Sequence, residues 1–224
     1  MFQSGKELEA VFSTEAAFYK LKTNERTQLC RSLAAIRRTG SQEEGADALF
    51  VLLNPGKCLP VEGEGSVPFL SGGPGSVPLS PAVPDNTLHQ LMRLMERMNW
   101  NYVQVINLTD LRTGKFSEYQ ESQKFMEAYG DMRHSIFAAQ RRSELVSIAQ
   151  AADTIIVGWG TKSSIRRAAD EAYSALSELG NIIGLPYKTP PLYYHPFPWI
   201  HGKCIQWLDS MEEQLTEVGE VVQN

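Results

Sequence analysis

The stretch from Ala48 to Lys57, ALFVLLNPGK, constrains the fold more than any other part of the chain. Six apolar residues run from Ala48 to Leu53 and stop abruptly at Asn54, Pro55 and Gly56, the pattern of a strand buried on both faces that ends in a sharp turn. A strand covered on both faces belongs to a sheet held between helical layers. In open α/β sheets ligands bind beyond the carboxyl ends of the strands, so Asn54 is expected to project into a crevice. An ordinary strand followed by an Asn-Pro turn fits the same tripeptide, and what recurs downstream has to separate the two readings.

Three further strands are read downstream. Tyr102 to Ile106 (YVQVI) ends at Asn107 and continues as NLTDLR to Arg112; Thr154 to Val157 (TIIV) ends at Gly158, Trp159 and Gly160; Leu192 to Tyr194 ends at His195, Pro196, Phe197 and Pro198, followed by WIHGKC. Helical spacing of Leu29, Leu33 and Ile36 predicts a helix over Thr23 to Arg38, capped by Thr23 or Asn24 and closed by Gly40, after a short edge strand at Ala16 to Leu21. Further helices are expected over Asn86 to Asn99, over most of Ser117 to Ala152 with a break near Gly130, from Ser163 to Leu179, and from Cys204 to Val218. Between Lys57 and Asp85 the chain is dense in Gly, Pro and Ser and shows neither helical nor strand periodicity, so a long loop is expected. Its Phe69 and Leu70 either cover a ligand or belong to a floppy insertion.

Helices separating strands imply a three-layer α/β/α sandwich with a central four-stranded, mostly parallel sheet. A chain of 224 residues can bury the core of one such domain, here residues 1–224, with an N-terminal extension (1–45), the long loop (57–85) and a frayed tail (219–224). The net charge of -5 excludes a protein that coats nucleic acid by bulk electrostatics but leaves room for a local basic face. Lys162, Arg166 and Arg167 near the start of the Ser163 helix oppose the helix dipole, so either a bound phosphate compensates them or they are tolerated surface cations. Cys30, Cys58 and Cys204 are dispersed and form no CxxC pair, which suggests neither disulfides nor a metal site and fits a reducing cytoplasm. No signal-like or membrane-spanning run is present in the sequence, and no cofactor, membrane or obligate protein partner is expected.

Taken in order, these strand ends resemble the motifs of the uracil-DNA glycosylase superfamily. LLNPG is similar to the GINPG motif of its mismatch-specific and thymine-DNA glycosylase branch, VINLTDLR to the second-strand LLN segment followed by an arginine, VGWG to the third-strand LWG segment, and HPFPWIHGKC to the HPSP motif with its insertion loop. A group of uncharacterised bacterial proteins with LNPS, NL-x-x-R, WG and HP segments is similar as well. The resemblance covers punctuated motifs between Ala48 and Leu208 and implies a monofunctional DNA glycosylase acting on double-stranded DNA with one base everted. It assigns Asn54 to holding the attacking water, since a carboxamide cannot act as a general base. It assigns His195 to the departing base oxygen. Asp110 and Asp85 are the nearby carboxylates that would supply a true base if Asn54 is insufficient, and a turn or cap residue is the other reading of each. Asn107 would read the edge of the everted pyrimidine, or else is an amide that closes a strand-end turn, with Pro55, Gly56, Trp159 and Gly160 shaping the pocket. Lys57, Arg112, Lys162, Arg166 and Phe197 would face DNA, and Trp199 and Ile200 would fill the gap that the everted base leaves.

Two departures refine the expectation. Uracil-specific members carry an aspartate where this chain has Asn54 and a bulky tyrosine where it has Gly56, which implies a slower and roomier pocket. The four cysteines that hold an iron-sulfur cluster in other branches are not matched by three scattered ones. The expected substrate is therefore a modified or damaged pyrimidine, including a bulky 5-substituted cytosine of phage-type DNA. The alternatives are a catalytically silent nucleic-acid-binding protein of the same fold, and a hydrolase or transferase of free nucleosides or nucleotides.

Overall fold

The computed structural model describes residues 2–222. In chain order its elements are α1 (Gly5–Glu9), β1 (Phe12–Lys22), β2 (Thr27–Arg38), β3 (Ala48–Leu52), β4 (Leu59–Pro60), β5 (Ser80–Val83), α2 (Asn86–Met98), β6 (Tyr102–Asn107), α3 (Phe116–Tyr129), α4 (Arg142–Gln150), β7 (Ile155–Val157), α5 (Arg166–Ser177), β8 (Ile182–Ile183) and α6 (His201–Val222). The fold is α/β.

The strand β3 is the hub of the core. Its side chains alternate between the two sheet faces: Phe50 and Leu52 pack with Leu91, Met92 and Met95 of α2 and Leu208 and Met211 of α6. Leu49 and Val51 face the opposite layer, with Leu145 of α4 and Ala169, Ala172 and Leu176 of α5. Each such fully buried aliphatic or aromatic side chain contributes about 1.5–3 kcal/mol, so the strand is fixed in register from both sides.

The sheet has eight strands in the order β4-β5-β1-β2-β6-β3-β7-β8, not four. Strands β6, β3, β7 and β8 are mutually parallel, whereas β2 joins β6 antiparallel and the β1–β2 hairpin and β4–β5 extend the sheet on that side. The mixed sheet thus replaces the small parallel one expected, because the first 45 residues supply two long strands.

The expected helix over Thr23 to Arg38 is β2, and the edge strand at Ala16 to Leu21 belongs to the inner strand β1. The Thr23 hydroxyl read as a helix cap instead closes the hairpin, accepting from the backbone of Glu25 and Arg26. The same side-chain chemistry serves both turns. A register shift at Ala17/Phe18 breaks the alternation of the pair, and β2 is buried on both faces. Leu29, Leu33 and Ile36 therefore mimic a helical stripe.

Residues 57–85 are not structureless. They form β4, β5 and two single 3-10 turns, with the proline-bearing β5 pairing to β1. Leu70 packs beside Tyr19 and Leu21, and Phe69 is exposed with the Lys20 ammonium 5.7 Å from its ring; neither lines the main cavity. Leu192 to Tyr194 is not a sheet strand either: Tyr193 makes only single bridges, to Gly160 and Pro186, and β8 holds the edge. Prolines at 190, 191, 196 and 198 remove the donors that a ladder there would need. The break near Gly130 is the left-handed glycine that closes α3. The helix α6 starts earlier than expected, at His201, and continues through Val222; the last two residues of the expected frayed tail lie outside the described residues.

Candidate functional site

A cavity of about 500 Å³ opens at the carboxyl ends of β3 and β7. Five segments meet there: the turn after β3 (Asn54, Gly56, Lys57), the start of α2 (Asp85 to Thr87), the approach to α3 (Thr113 to Phe116), the segment after β7 (Trp159 to Lys162), and Tyr194 to Trp199.

Asn54 enters with its orientation fixed. Its Nδ2 donates to the carbonyl oxygen of Thr113 at 2.8 Å and to the Thr113 hydroxyl at 3.0 Å. A carbonyl can only accept, so the nitrogen is identified by its partner and Oδ1 is the free end of the amide. His195 is fixed as well. Its Nδ1 accepts from the Phe197 backbone N–H at 3.1 Å, so a neutral ring carries its proton on Nε2 and presents a donor. Burial holds the ring below the ordinary histidine range, opposed by the nearby Asp85 charge. The ring is neutral at pH 7.

Asp85 is built into the frame of the site. Its Oδ1 caps α2 by accepting from Thr87 and Leu88, at 3.0 and 3.1 Å, and its Oδ2 accepts from the Lys57 N–H at 2.9 Å. Gly56 has φ +64°, and a Cβ placed on it would overlap the Asp85 carboxylate. The position needs glycine on both counts. It also corrects the expectation of extra room beside residue 56, because Asp85 already fills that space.

Trp159 is fully buried, donating from Nε1 to the Pro191 carbonyl at 2.6 Å, and forms a rigid wall beside Gly160, whose φ is +105°. Lys57, Lys115 and Lys162 stand around the cavity as cations, the last with its ammonium 5.8 Å from the Phe116 ring. Trp199, 74% exposed and in the left-handed region at φ +66°, projects at the rim with Phe197 at a ring distance of 5.4 Å.

Several expected site residues lie elsewhere. Asn107 is 1% exposed, and its Oδ1 accepts from Arg31 Nη2 at 2.9 Å instead of facing the cavity. Asp110 is fully buried, bonded by the Tyr19 hydroxyl at 2.7 Å and by Arg141 at 2.6 Å; burial pushes its carboxyl up to about 7 against the pull of Arg141. It ties a core together and does not line the cavity. The Arg112 Nε donates to the Cys58 carbonyl at 2.7 Å and Nη1 pairs with Glu64 at 3.0 Å, so this arginine pins the 57–85 segment. Pro55 is buried behind the turn, and Arg166 and Ile200 are exposed outside the cavity. For Asn107, Asp110 and Arg112 the common reason is topological: β6 lies on the side of β3 away from β7, and β2 with the Cys30–Leu111 bridge closes over its end. Thr113 and Phe116, which do line the cavity, carry no sequence signal beyond following that strand.

Among the described residues no group of three or more His, Cys, Asp or Glu side chains is placed to hold a metal ion, and no helix is long and apolar enough to cross a membrane. A family model described as "Protein of unknown function (DUF1643)" matches residues 78–196, just over half of the 224, a span that includes Asp85, Thr113, Trp159 and His195. No curated protein and no solved structure matches the chain.

Proposed function

The chain belongs to the DUF1643 family, and we propose that it hydrolyses the N-glycosidic bond of a modified or damaged pyrimidine everted from DNA, leaving an abasic site. The observation that carries this reading is the pairing, on one cavity, of an acceptor and a donor that are both oriented by the backbone: Asn54 Oδ1, held by Thr113, and His195 Nε2–H, held by Phe197. Cleaving the bond leaves positive charge on the sugar and negative charge on the departing base, so the site needs a positioned water on one side and a donor on the other. Asn54 supplies the first and His195 the second, as the glycosylase resemblance implies. The Asp85 carboxylate adds negative charge where the sugar becomes cationic, with no need to take a proton.

The remaining cavity groups suit a nucleic-acid substrate. Lys57, Lys115 and Lys162 offer phosphate contacts in a chain that is acidic overall. The exposed Trp199 offers an apolar plate for the gap left by the everted base. An ordinary base is an unsuitable target, because its removal would damage the host genome, so the substrate is a modified or lesioned pyrimidine.

The test is mass-spectrometric detection of free base from duplexes carrying modified pyrimidines, under single turnover. Asn54→Ala should slow release about 100-fold or more, since a misplaced water loses its near-attack geometry. Release of no base from any modified duplex overturns the reading. A gel shift without release then favours a silent DNA-binding protein, and a thermal shift with nucleotides but not with DNA favours an enzyme of free nucleotides.

A further inference from the structure

Arg31 is the largest unexplained charge in the molecule. It is 2% exposed, and the polar contact that its side chain makes is from Nη2 to Asn107 Oδ1 at 2.9 Å. Its Nε and Nη1 and the Nδ2 of Asn107 are buried with no acceptor among the described residues. No carboxylate forms a salt bridge with it among those residues, whereas the similarly buried Arg141 has two. The Cys58 thiol lies beside the guanidinium, but burial pushes it above the ordinary thiol range, so it is neutral at pH 7 and no counter-ion.

Neither end of the pair can relieve the other. A guanidinium does not lose its proton in a protein, and flipping the Asn107 amide would set donor against donor. Three unfilled donors therefore belong to two side chains already bonded together, and because Nε–H and Nη1–H leave opposite edges of the guanidinium, one occupant meets Asn107 Nδ2 and one of these edges. A water placed there would accept once or twice but bring two protons of its own. An anion accepts from every side and also balances the charge.

The place is defined. Asn107 pairs in register with Leu52, the last residue of β3, and Cys58 closes the turn that begins at Asn54. The donors lie behind that turn, and neither Arg31 nor Asn107 lines the cavity in front of it. Only a small occupant suits donors enclosed in this way.

We propose that Arg31 and Asn107 hold a monovalent anion of chloride size, buried behind the Asn54 turn and distinct from the substrate cavity. The anion completes the charge balance of the sheet at the point where β2, β6 and the end of β3 meet.

Thermal unfolding in sodium chloride, sodium bromide and sodium gluconate at equal ionic strength tests this on the intact chain. A site filled only in the folded state raises the wild-type melting temperature in either halide by about 3–6 °C over gluconate. Asn107→Asp, which brings its own carboxylate to Arg31, should melt higher than wild type in gluconate and lose the halide response. Crystals grown in bromide should show an anomalous peak between Arg31 and Asn107. Equal melting of the wild type in halide and gluconate overturns the proposal, even if a bromide peak appears, since that would be binding at crystal concentration only. So does a full halide response retained by Asn107→Asp, or a bromide crystal with no peak at that position.

Discussion

Replacing Arg141 by methionine probes the buried charge pair that separates stability from chemistry in this chain. Arg141 and Asp110 are 3% and 0% exposed, joined from Nη1 to Oδ2 at 2.6 Å. The arginine also donates to the Arg133 carbonyl at 3.1 Å and to both oxygens of Glu144, at 2.9 and 2.7 Å. Methionine keeps the aliphatic stem and removes the cation, leaving Asp110 with the Tyr19 hydroxyl alone. Breaking one side of a buried pair costs about 3–5 kcal/mol. For a chain of 224 residues that is a fall in melting temperature of about 6–20 °C.

The pH dependence makes the prediction specific. The folded pKa of Asp110 is raised to about 7, so the native state binds its proton more tightly than the unfolded chain does. Stability from this group is therefore fully present below the ordinary carboxylate range and is lost as pH rises towards 7. Without Arg141, whose charge lowers that pKa, the carboxyl moves higher still and the loss continues above pH 7. Melting curves at pH 5, 7 and 9 should show a gap between wild type and variant that is small at pH 5 and widest at pH 9. Adding Asp110→Asn should flatten it. A gap independent of pH would refute the coupling of these two groups.

Gly56→Ala places a Cβ against the Asp85 carboxylate at a left-handed φ of +64°, so urea unfolding should show a loss of about 1–3 kcal/mol; an unchanged midpoint would mean that Asp85 moves freely and does not shape the turn. Trp199→Ala removes a side chain that is 74% exposed, so stability should stay within about 0.5 kcal/mol, while affinity for duplex DNA measured by fluorescence anisotropy falls about 5- to 150-fold. Unchanged affinity would remove Trp199 from the DNA contact.

What the sequence disclosed was governed by how local the signal was. The run Ala48–Leu53 announces a strand buried on both faces, and α2 is announced by its Leu and Met stripe and ends at the left-handed Asn99. The strand β2 defeated the same logic, because a strand packed on both faces and kinked by a register shift has no period of two to show. Asn54 and His195 were legible because each directly follows an apolar run at a proline turn. Thr113 was not, since its role is to receive the Asn54 amide from another segment, 59 positions away, and nothing in its own neighbourhood records that. Asp85 was visible as a carboxylate, but its place opposite Gly56 depends on where α2 starts relative to the turn.

The separation of Asn54 from Asn107 follows from topology more than from chemistry. Both residues lie at or just beyond the carboxyl ends of adjacent parallel strands, and a rule that places ligands beyond such ends treats them alike. Connections from β3 run first to β6 on one side and then to β7 on the other, so the crevice opens where the order reverses, between β3 and β7. On the β6 side the antiparallel β2 takes up the space that a crevice would need, and the Arg31 side chain meets Asn107 there. An amide at the end of β3 or a glycine pair at the end of β7 reaches the cavity, while an amide at the end of β6 is committed to the core. The N-terminal hairpin thus decides which of two similar strand ends is available for chemistry. It does so by adding strands to one edge only.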